Sequence, residues 1–260
     1  IGVSVQIFIG LLIGGLQNSL VESTIGNSSQ ITVSAEEEEG LISEYEPMLK
    51  DIENSDGRVE FVSPVLDNPS FLDSDEKNQS LLVRGMKKSG ADNIYSLSEY
   101  ITEGSFEKDE NTVLLGDALK EEYSLQKGDK INLVTPDKRT VECTVTGFFD
   151  LQVASINESW CITTLENAQE IFGTGDEISA IEMQMYDDSV FEADQAAKKI
   201  RKVLKDENVT VTDWKSQNQS LLSGLRGQSI SSLMIQIFVM ISVVLGISSI
   251  LAITVMQKSR

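Results

Sequence analysis

Apolar residues are arranged along this chain in two ways, as unbroken runs at its ends and as short periodic stretches between them. The run Ile230 to Val255 sits inside a segment with no charged residue from Gly227 to Gln257. A helix rises ~1.5 Å per residue, so about twenty residues cross the hydrocarbon core of a bilayer, and this run exceeds that. It predicts a transmembrane helix. A second run, Ile1 to Leu16, is free of charge until Glu22 and shows neither a basic leader nor a small-residue cleavage site. It reads as the outer part of another membrane helix that begins before Ile1. Gly10 and Gly14 have the four-residue spacing that lets helix backbones approach in lipid. Helical character is expected to continue through Gln17 to Thr24, with Gly26 and Asn27 as terminators, lifting the rest of the chain off the membrane on a stalk.

Between the runs the pattern shortens. Gln30 to Ser34 alternates as a strand, Glu36 to Glu39 follow as a solvated helix start, and apolar residues recur at helical intervals from Leu41 to Ile52, with Pro47 favouring a later start. Asp56 and Gly57 turn the chain into a strand from Arg58 to Leu66. Asn68 to Gln79 reads as a polar loop or hairpin tip and Ser80 to Gly85 as the strand leaving it. A short helix capped by Ser96 or Ser98 is expected within Tyr95 to Gly104. There follow a strand at Thr112 to Leu115, a helix at Asp117 to Tyr123, a tight turn at Lys127-Gly128-Asp129, and strands at Lys130 to Val134, Thr140 to Phe149 and Ser159 to Thr163. Short strands and turns at this spacing predict a small β-rich unit. Leu165 to Phe172 is an amphipathic helix ending before Gly173, Ala180 to Tyr186 a strand, Val190 to Leu204 a helix with basic residues toward its C-terminus, and Val209 to Thr212 a closing strand. From Trp214 the chain turns helical again, and Leu221, Leu222 and Leu225 lead through Gly227 into the membrane run as a second stalk.

Charge places this middle region. The formal net charge is −20, and all 41 acidic residues fall between Glu22 and Asp213. Lys258 and Arg260 lie beyond the last run, which leaves 19 basic side chains and a net of −22 in the rest of the chain. Such a surface excludes nucleic acid as a partner, because like charge opposes contact with phosphate. The same two cations favour a cytoplasmic C-terminal end, so the polar region is expected outside the cytoplasm of a multi-pass cell-membrane protein. Histidine is absent, which removes the material for zinc sites and histidine-based triads, and no cofactor or metal set is expected. Cys143 and Cys161 lie in short strand-like runs, where either a disulfide or two buried free thiols would fit.

The expected fold class is α+β, with two transmembrane helices extended as stalks flanking a bipartite extracytoplasmic domain. One strand, helix, strand unit precedes the β-rich middle and another follows it. Within the middle, Thr112 to Asp150 carries an apolar strand ending in Leu-Gly, a helix, a Leu-X-Lys-Gly-Asp turn, and a paired strand ending in Val-X-Gly-Phe-Phe. This block resembles the extracytoplasmic core domain of the FtsX-like and MacB-like permeases of ABC transporters. Ser159 to Gly173, Ile178 to Tyr186, Ala193 to Leu204 and Asp213-Trp214 are similar to that family's later blocks, particularly in the LolC/LolE branch. The final helix, ending Val-Met-Gln-Lys-Ser-Arg, is similar to its second membrane helix, so the resemblance covers essentially the whole chain. It implies a first membrane helix and stalk at 1–26, a discontinuous βαβ-type porter-like subdomain at 27–66 and 177–213, a β-rich sabre-like insertion at 67–176, and the second stalk and membrane helix at 214–260. It also implies two further helices after Arg260, a dimer with a second permease copy or paralogue, and a separate cytoplasmic ATPase subunit. The chain has no Walker A glycine-lysine loop with which to hydrolyse ATP itself.

The function expected is that of a non-catalytic permease subunit, transmitting cytoplasmic ATP-driven motion to an extracytoplasmic domain that exports or extracts a lipoprotein, peptide or amphiphile. The residues that carry it are structural: Gly128 and Asp129 in the turn, and Leu221, Leu222 and Leu225 in the stalk. The alternative is a membrane receptor whose outer domain senses a ligand and signals through the second helix; the segment after Arg260 separates the two. A surface hydrolase is disfavoured, since without histidine it would need a carboxylate pair or Ser-Lys chemistry, and the acids are spread over helical faces as solvating groups. For cargo, acidity favours cationic peptides and the LolC/LolE likeness favours lipoproteins.

Overall fold

The computed structural model describes residues 28–37, 40–73, 79–107, 109–204 and 208–258, together with positions 8, 10, 11 and 15; the side chains at 221, 225, 226 and 229 lie outside the description. The chain divides into two compact units, Asn27–Ser216 and the end segments Ile1–Gly26 with Gln217–Arg260. The first unit is mixed α+β. It begins with β1 (Ile31–Ala35), α1 (Tyr45–Glu53), β2 (Val59–Asp73), β3 (Gln79–Met86), α2 (Lys88–Tyr95), α3 (Leu97–Tyr100) and β4 (Ile101–Gly104). β5 (Thr112–Gly116), α4 (Asp117–Tyr123), β6 (Lys130–Val134), β7 (Thr140–Phe149), α5 (Ala154–Asn157), β8 (Trp160–Thr164) and α6 (Leu165–Phe172) follow. It closes with β9 (Ala180–Met185), a 3-10 turn (Asp187–Glu192), α7 (Ala193–Leu204), β10 (Val209–Asp213) and α8 (Trp214–Gln217).

Hydrogen-bonded neighbours run β10-β1-β9-β2-β3-β8-β5-β7-β4, with β6 joining β2 to β7. At one end β10, β1, β9 and the first half of β2 are antiparallel, and α1 and α7 are the crossovers, which is the connectivity of a ferredoxin-like β-α-β-β-α-β unit. Period-two alternation buries one face of this layer: Ile31 and Val33 of β1 stand opposite Met183 and Ile181 of β9, and all four are inaccessible. The covering helices supply Ile52 from α1 and Ala193, Ala196, Ala197 and Ile200 from α7, the last four at the i, i+3, i+4, i+7 spacing of one helical stripe.

The second half of β2 leaves this layer and enters a ring. β2 pairs with β3, β3 with β8, β8 with β5, β5 with β7, β7 with β6, and β6 with the end of β2 at Phe71–Asp73. Closure removes the edges of these six strands, and each contributes a buried side chain to one interior cluster, among them Leu72, Val83, Leu115, Leu133, Val145 and Cys161.

Three local expectations change. Asn68 to Gln79 is not a loop over most of its length, because β2 runs on to Asp73 in register with β3 from Val65↔Met86 to Leu72↔Gln79. The polar residues that suggested a loop are tolerated since Pro69 falls where β2 has a partner on one side only, and Asp67 is paired with Arg84. Leu41 to Ile52 becomes helical only from Tyr45, because Ile42 pairs with Ile178 instead. Tyr95 to Gly104 holds the end of α2, then α3 and β4; Ser96 has a left-handed backbone (φ 53°) with no capping bond from its side chain, and the Ser98 N–H is bonded by Asp92 of the preceding helix.

In the second unit α9 (Gln219–Lys258) is a continuous 40-residue helix, roughly 60 Å long at the standard rise. Its 29-residue stretch Ile230–Lys258 is long and apolar enough to cross a membrane, and it is the one helix of that kind among the described residues. Two hydroxyls in this stretch bond within the helix, Ser242 donating to the Phe238 carbonyl at 2.9 Å and Thr254 to that of Ile250 at 2.8 Å. In the first run positions 8, 10, 11 and 15 are helical, and a Cβ on Gly10 would sit 3.5 Å from Gln236 Nε2 of α9, an ordinary contact that does not itself require glycine. Gly14 and the continuation from Gln17 to Thr24 lie outside the described residues.

Candidate functional site

The sheet order brings the two ends of the folded unit together. β1 and β10 are antiparallel neighbours from Ile31↔Asp213 to Ala35↔Val209, so the chain enters and leaves at the same end of the layer. Gln30, which is fully buried, fastens both. Its N–H donates to the Met183 carbonyl (2.9 Å), its carbonyl accepts from Trp214 N (3.0 Å), and its side-chain Oε1 accepts from Met185 N (2.7 Å). Trp214 is equally buried; its indole N–H donates to the Val190 carbonyl at 2.8 Å and its ring meets Phe191 edge-on at 5.7 Å. Asp213 caps the turn that follows, Oδ1 accepting from the N–H groups of Lys215 and Ser216. Lys215 reaches Asp194 of α7 at 2.7 Å, and that hydrogen bond holds the Asp194 carboxyl below the usual carboxylate range. The exit is thus tied to both the sheet and the helix layer.

A second polar constellation lies where the four-stranded layer meets the ring. Arg84 of β3 is 3% exposed. Its Nε bonds Asp67 of β2 (2.8 Å), its Nη1 donates to the Tyr95 hydroxyl of α2 (2.9 Å), and its Nη2 bonds Glu182 of β9 (2.6 Å). The Tyr95 hydroxyl donates in turn to Glu182 at 2.8 Å. The guanidinium carbon lies 4.2 Å from the ring centroid of Trp160 of β8. Burial alone would lower the guanidinium's pKa, yet the Asp67 and Glu182 carboxylates hold it well above its ordinary value; burial raises that of the Tyr95 hydroxyl, which stays protonated. The local sequence explains the assembly. Asp67 is directly cross-strand from Arg84, Ser63 is cross-strand from Glu182, and Gly90 of α2 lies so close to Ser63 that a Cβ there would come within 2.0 Å of its hydroxyl. That close approach brings α2, and with it Tyr95, down onto the two charged strands.

Of the residues singled out from the sequence, Gly128 has φ +94° and its N–H donates to the Val145 carbonyl at 2.8 Å. Asp129 Oδ2 accepts from Gln126 N at 2.8 Å, closing the turn into β6. Leu222 is half-buried in α9, while the side chains of Leu221 and Leu225 lie outside the described residues. Cys143 and Cys161 are both free and buried; burial pushes the Cys143 thiol up to about 12 and that of Cys161 well above its usual value. Neither the turn nor the two thiols lie in the Arg84 or Trp214 groups. An open cleft of about 520 Å³, lined by Glu36, Glu37, Leu41, Met48 and Asn208 among others, marks the far end of β1 and β10. Arg84 and Glu182 are not singled out by the sequence, and Gln30 and Trp214 appear in it only as the start of a strand and as part of the Asp213-Trp214 block. The available signals were a lone arginine inside the apolar run Leu81 to Met86, and two tryptophans in the whole chain.

The sequence model of one family, the MacB-like periplasmic core domain, matches residues 1–203. The chain belongs to that family. Its MacB-like core shares its fold with the periplasmic region of MacB from Actinobacillus actinomycetemcomitans, at 10% identity and a TM-score of 0.53 over 77% of this chain and 95% of that one. The extracellular domain of the noncanonic ABC-type transporter YknZ from Gram-positive bacteria is similar at 13% identity and a TM-score of 0.50, over 72% of this chain and 100% of that one. No curated protein matches the chain. A MacB-like core is a non-catalytic domain, and among the described residues no group of three or more cysteine, aspartate or glutamate side chains is arranged to hold a metal ion. With its apolar helix, the chain is a membrane protein whose folded domain stands outside the cytoplasm.

Proposed function

We propose that the chain is part of a permease subunit of an ABC transporter and that its MacB-like core carries motion from the membrane to a cargo outside the cytoplasm. The observation that carries this reading is the joining of entry and exit strands through Gln30 and Trp214, because a displacement of α9 then acts on β10, β1 and β9 together. Family membership and the description of YknZ as an ABC-type transporter support it. The motor is a separate cytoplasmic ATPase, the assembly is a dimer of permeases within the lipid, and the apolar run Ile1 to Leu16 is the first of several membrane helices. The four-stranded layer corresponds to the porter-like pieces at 27–66 and 177–213, and the ring to the sabre-like insertion at 67–176. The turn at Gly128 and Asp129 sets the lead into β6, and Leu221, Leu222 and Leu225 stiffen the stalk. A place in the LolC/LolE branch, with a lipoprotein as cargo, is the finer reading; a peptide or amphiphile is the broader one.

The test is to purify the full-length tagged protein in detergent and identify what accompanies it by mass spectrometry. A stoichiometric ABC ATPase is the expected result. Reproducible recovery of signalling proteins in its place would overturn the transporter reading. Cross-linking the stalks is a second check, since transport that survives it would rule out a mechanical role for them.

A further inference from the structure

The Arg84 group has no part in the exit just described, yet it assembles five elements: β2, β3, α2, β8 and β9. Its cost is high. The Glu182 carboxylate and the guanidinium leave water almost completely, while Asp67 stays partly exposed, and a buried ion pair of this kind contributes little net stability compared with apolar side chains of the same volume. What it supplies is direction. Apolar contact between two layers is non-directional and permits sliding, whereas a planar guanidinium offers its donors in a fixed fork and accepts one arrangement of partners. Here each branch of the fork is assigned to a different element, Nε to β2, Nη1 to α2 and Nη2 to β9, and Trp160 stacks on its face. Of the partners, β9 belongs to the four-stranded layer, β3 and β8 to the ring, and β2 to both. Without this group the layer and the ring would be held, among the described residues, chiefly by the through-strand β2, by Ser179, which precedes β9 and bonds Val65 and Asp67 of β2, and by apolar packing under α2.

We propose that Arg84, Asp67, Tyr95 and Glu182 form an orienting clamp that makes the ring and the four-stranded layer move as one body. The consequence for transport rests on the permease reading above: a displacement entering at β10 and β1 reaches the ring undiminished. The clamp itself does not depend on that reading. Arg84 and Tyr95 are positioning residues, acting through the relative placement of two parts of the fold.

The test uses the full chain in detergent with spin labels at K130C on β6 and K198C on α7, whose native lysine side chains are 65% and 77% exposed. Cys143 and Cys161 are buried and do not take label. In the otherwise unchanged chain the distance between the labels is expected to show a single narrow distribution. Y95F removes the hydroxyl that bridges Arg84 and Glu182 while keeping the ring packed, and R84M removes the fork while keeping an apolar stem. Both are expected to lose the narrow distribution, with amide exchange at positions 84 and 182 faster by about tenfold or more. V145A, inside the ring and away from the clamp, lowers stability but leaves the distribution narrow. If Y95F and R84M lower the unfolding temperature yet keep the distribution as narrow as V145A does, the group is merely structural and the clamp is refuted. A broad distribution in the parent refutes it as well. Should R84M fail to fold, Y95F decides the matter alone. Failure of the permease reading shows elsewhere, as the absence of an ATPase on purification, and leaves these distances unchanged.

Discussion

Trp214 is where the fastening of the exit strand is most open to measurement. Replacement by phenylalanine keeps an aromatic ring against Phe191 but removes the indole N–H, leaving the Val190 carbonyl without its 2.8 Å donor. That carbonyl keeps the N–H of Ala193, so the loss is one hydrogen bond, ~0.5–1.5 kcal/mol. W214A removes the ring as well, and truncating a large buried aromatic costs ~3–5 kcal/mol. The unit that melts is Asn27–Ser216, 190 residues long, a size for which 1 kcal/mol moves the midpoint by about 2–4 °C. W214F should therefore lower Tm by roughly 1–6 °C and W214A by roughly 6–20 °C. Intrinsic fluorescence is a suitable readout, because Trp160 is the one tryptophan left in either variant and it lies against Arg84, away from the exit. K215M serves as a comparison: its ion pair with Asp194 is partly exposed, so at most ~1 kcal/mol is lost. A W214A midpoint no lower than that of K215M would refute the claim that the indole fastens the exit strand.

Three further outcomes are expected. Asp56, nearly inaccessible and bonded to Arg58 and Lys199, has its carboxyl held far below the usual carboxylate range, chiefly by the Arg58 hydrogen bond. Because the folded value is depressed, the stability it contributes is fully present above the unfolded value of about 4 and is lost as pH falls toward the folded one. D56N should thus be less stable by ~1–3 kcal/mol at neutral pH, with the gap narrowing progressively below about pH 4 in denaturant titrations. Cys143 and Cys161 should resist alkylation at pH 8 in the folded chain and react fully in denaturant; rapid modification of the native protein, or a pair that reacts only after reduction, would contradict two buried free thiols. A Cβ added at Gly128 would meet no atom within 4 Å, so the cost of G128A is backbone strain alone at φ +94°, ~1–2 kcal/mol in the same denaturant titrations; D129N, which keeps an acceptor for Gln126 N, should be close to neutral.

Much of the element pattern was legible because local signals and tertiary demands agree. Asp117 to Tyr123, Lys130 to Val134, Thr140 to Phe149 and Leu165 to Phe172 take the bounds that their periodicity predicts. Departures come where a distant partner outweighs the local signal. Asn68 to Gln79 looks like a polar loop until β3 pairs alongside its first half, and Ile42 fits a helix until Ile178 claims it. α2 was missed because Gly90 weakens its helical pattern, though Ala91, Ile94 and Tyr95 carry the buried spacing. The Arg84 group illustrates the same limit. Asp67, Arg84, Tyr95, Trp160 and Glu182 span more than a hundred positions, and no local spacing relates them.

The sequence by itself determined the membrane-crossing helix, the acidic character of the domain, the mixture of strands and helices, and the family, since each depends on composition, on periodicity, or on the order of short blocks. Only the tertiary structure decided that β2 is shared between a four-stranded layer and a closed ring, that entry and exit strands lie side by side, and that a lone arginine is held by groups from four other elements. The physical reason is that hydrophobic period reports which face of an element is buried and says nothing of what covers it. Pairing of distant strands, and the buried charges that such pairing permits, depend on contacts that exist only once the chain has closed on itself.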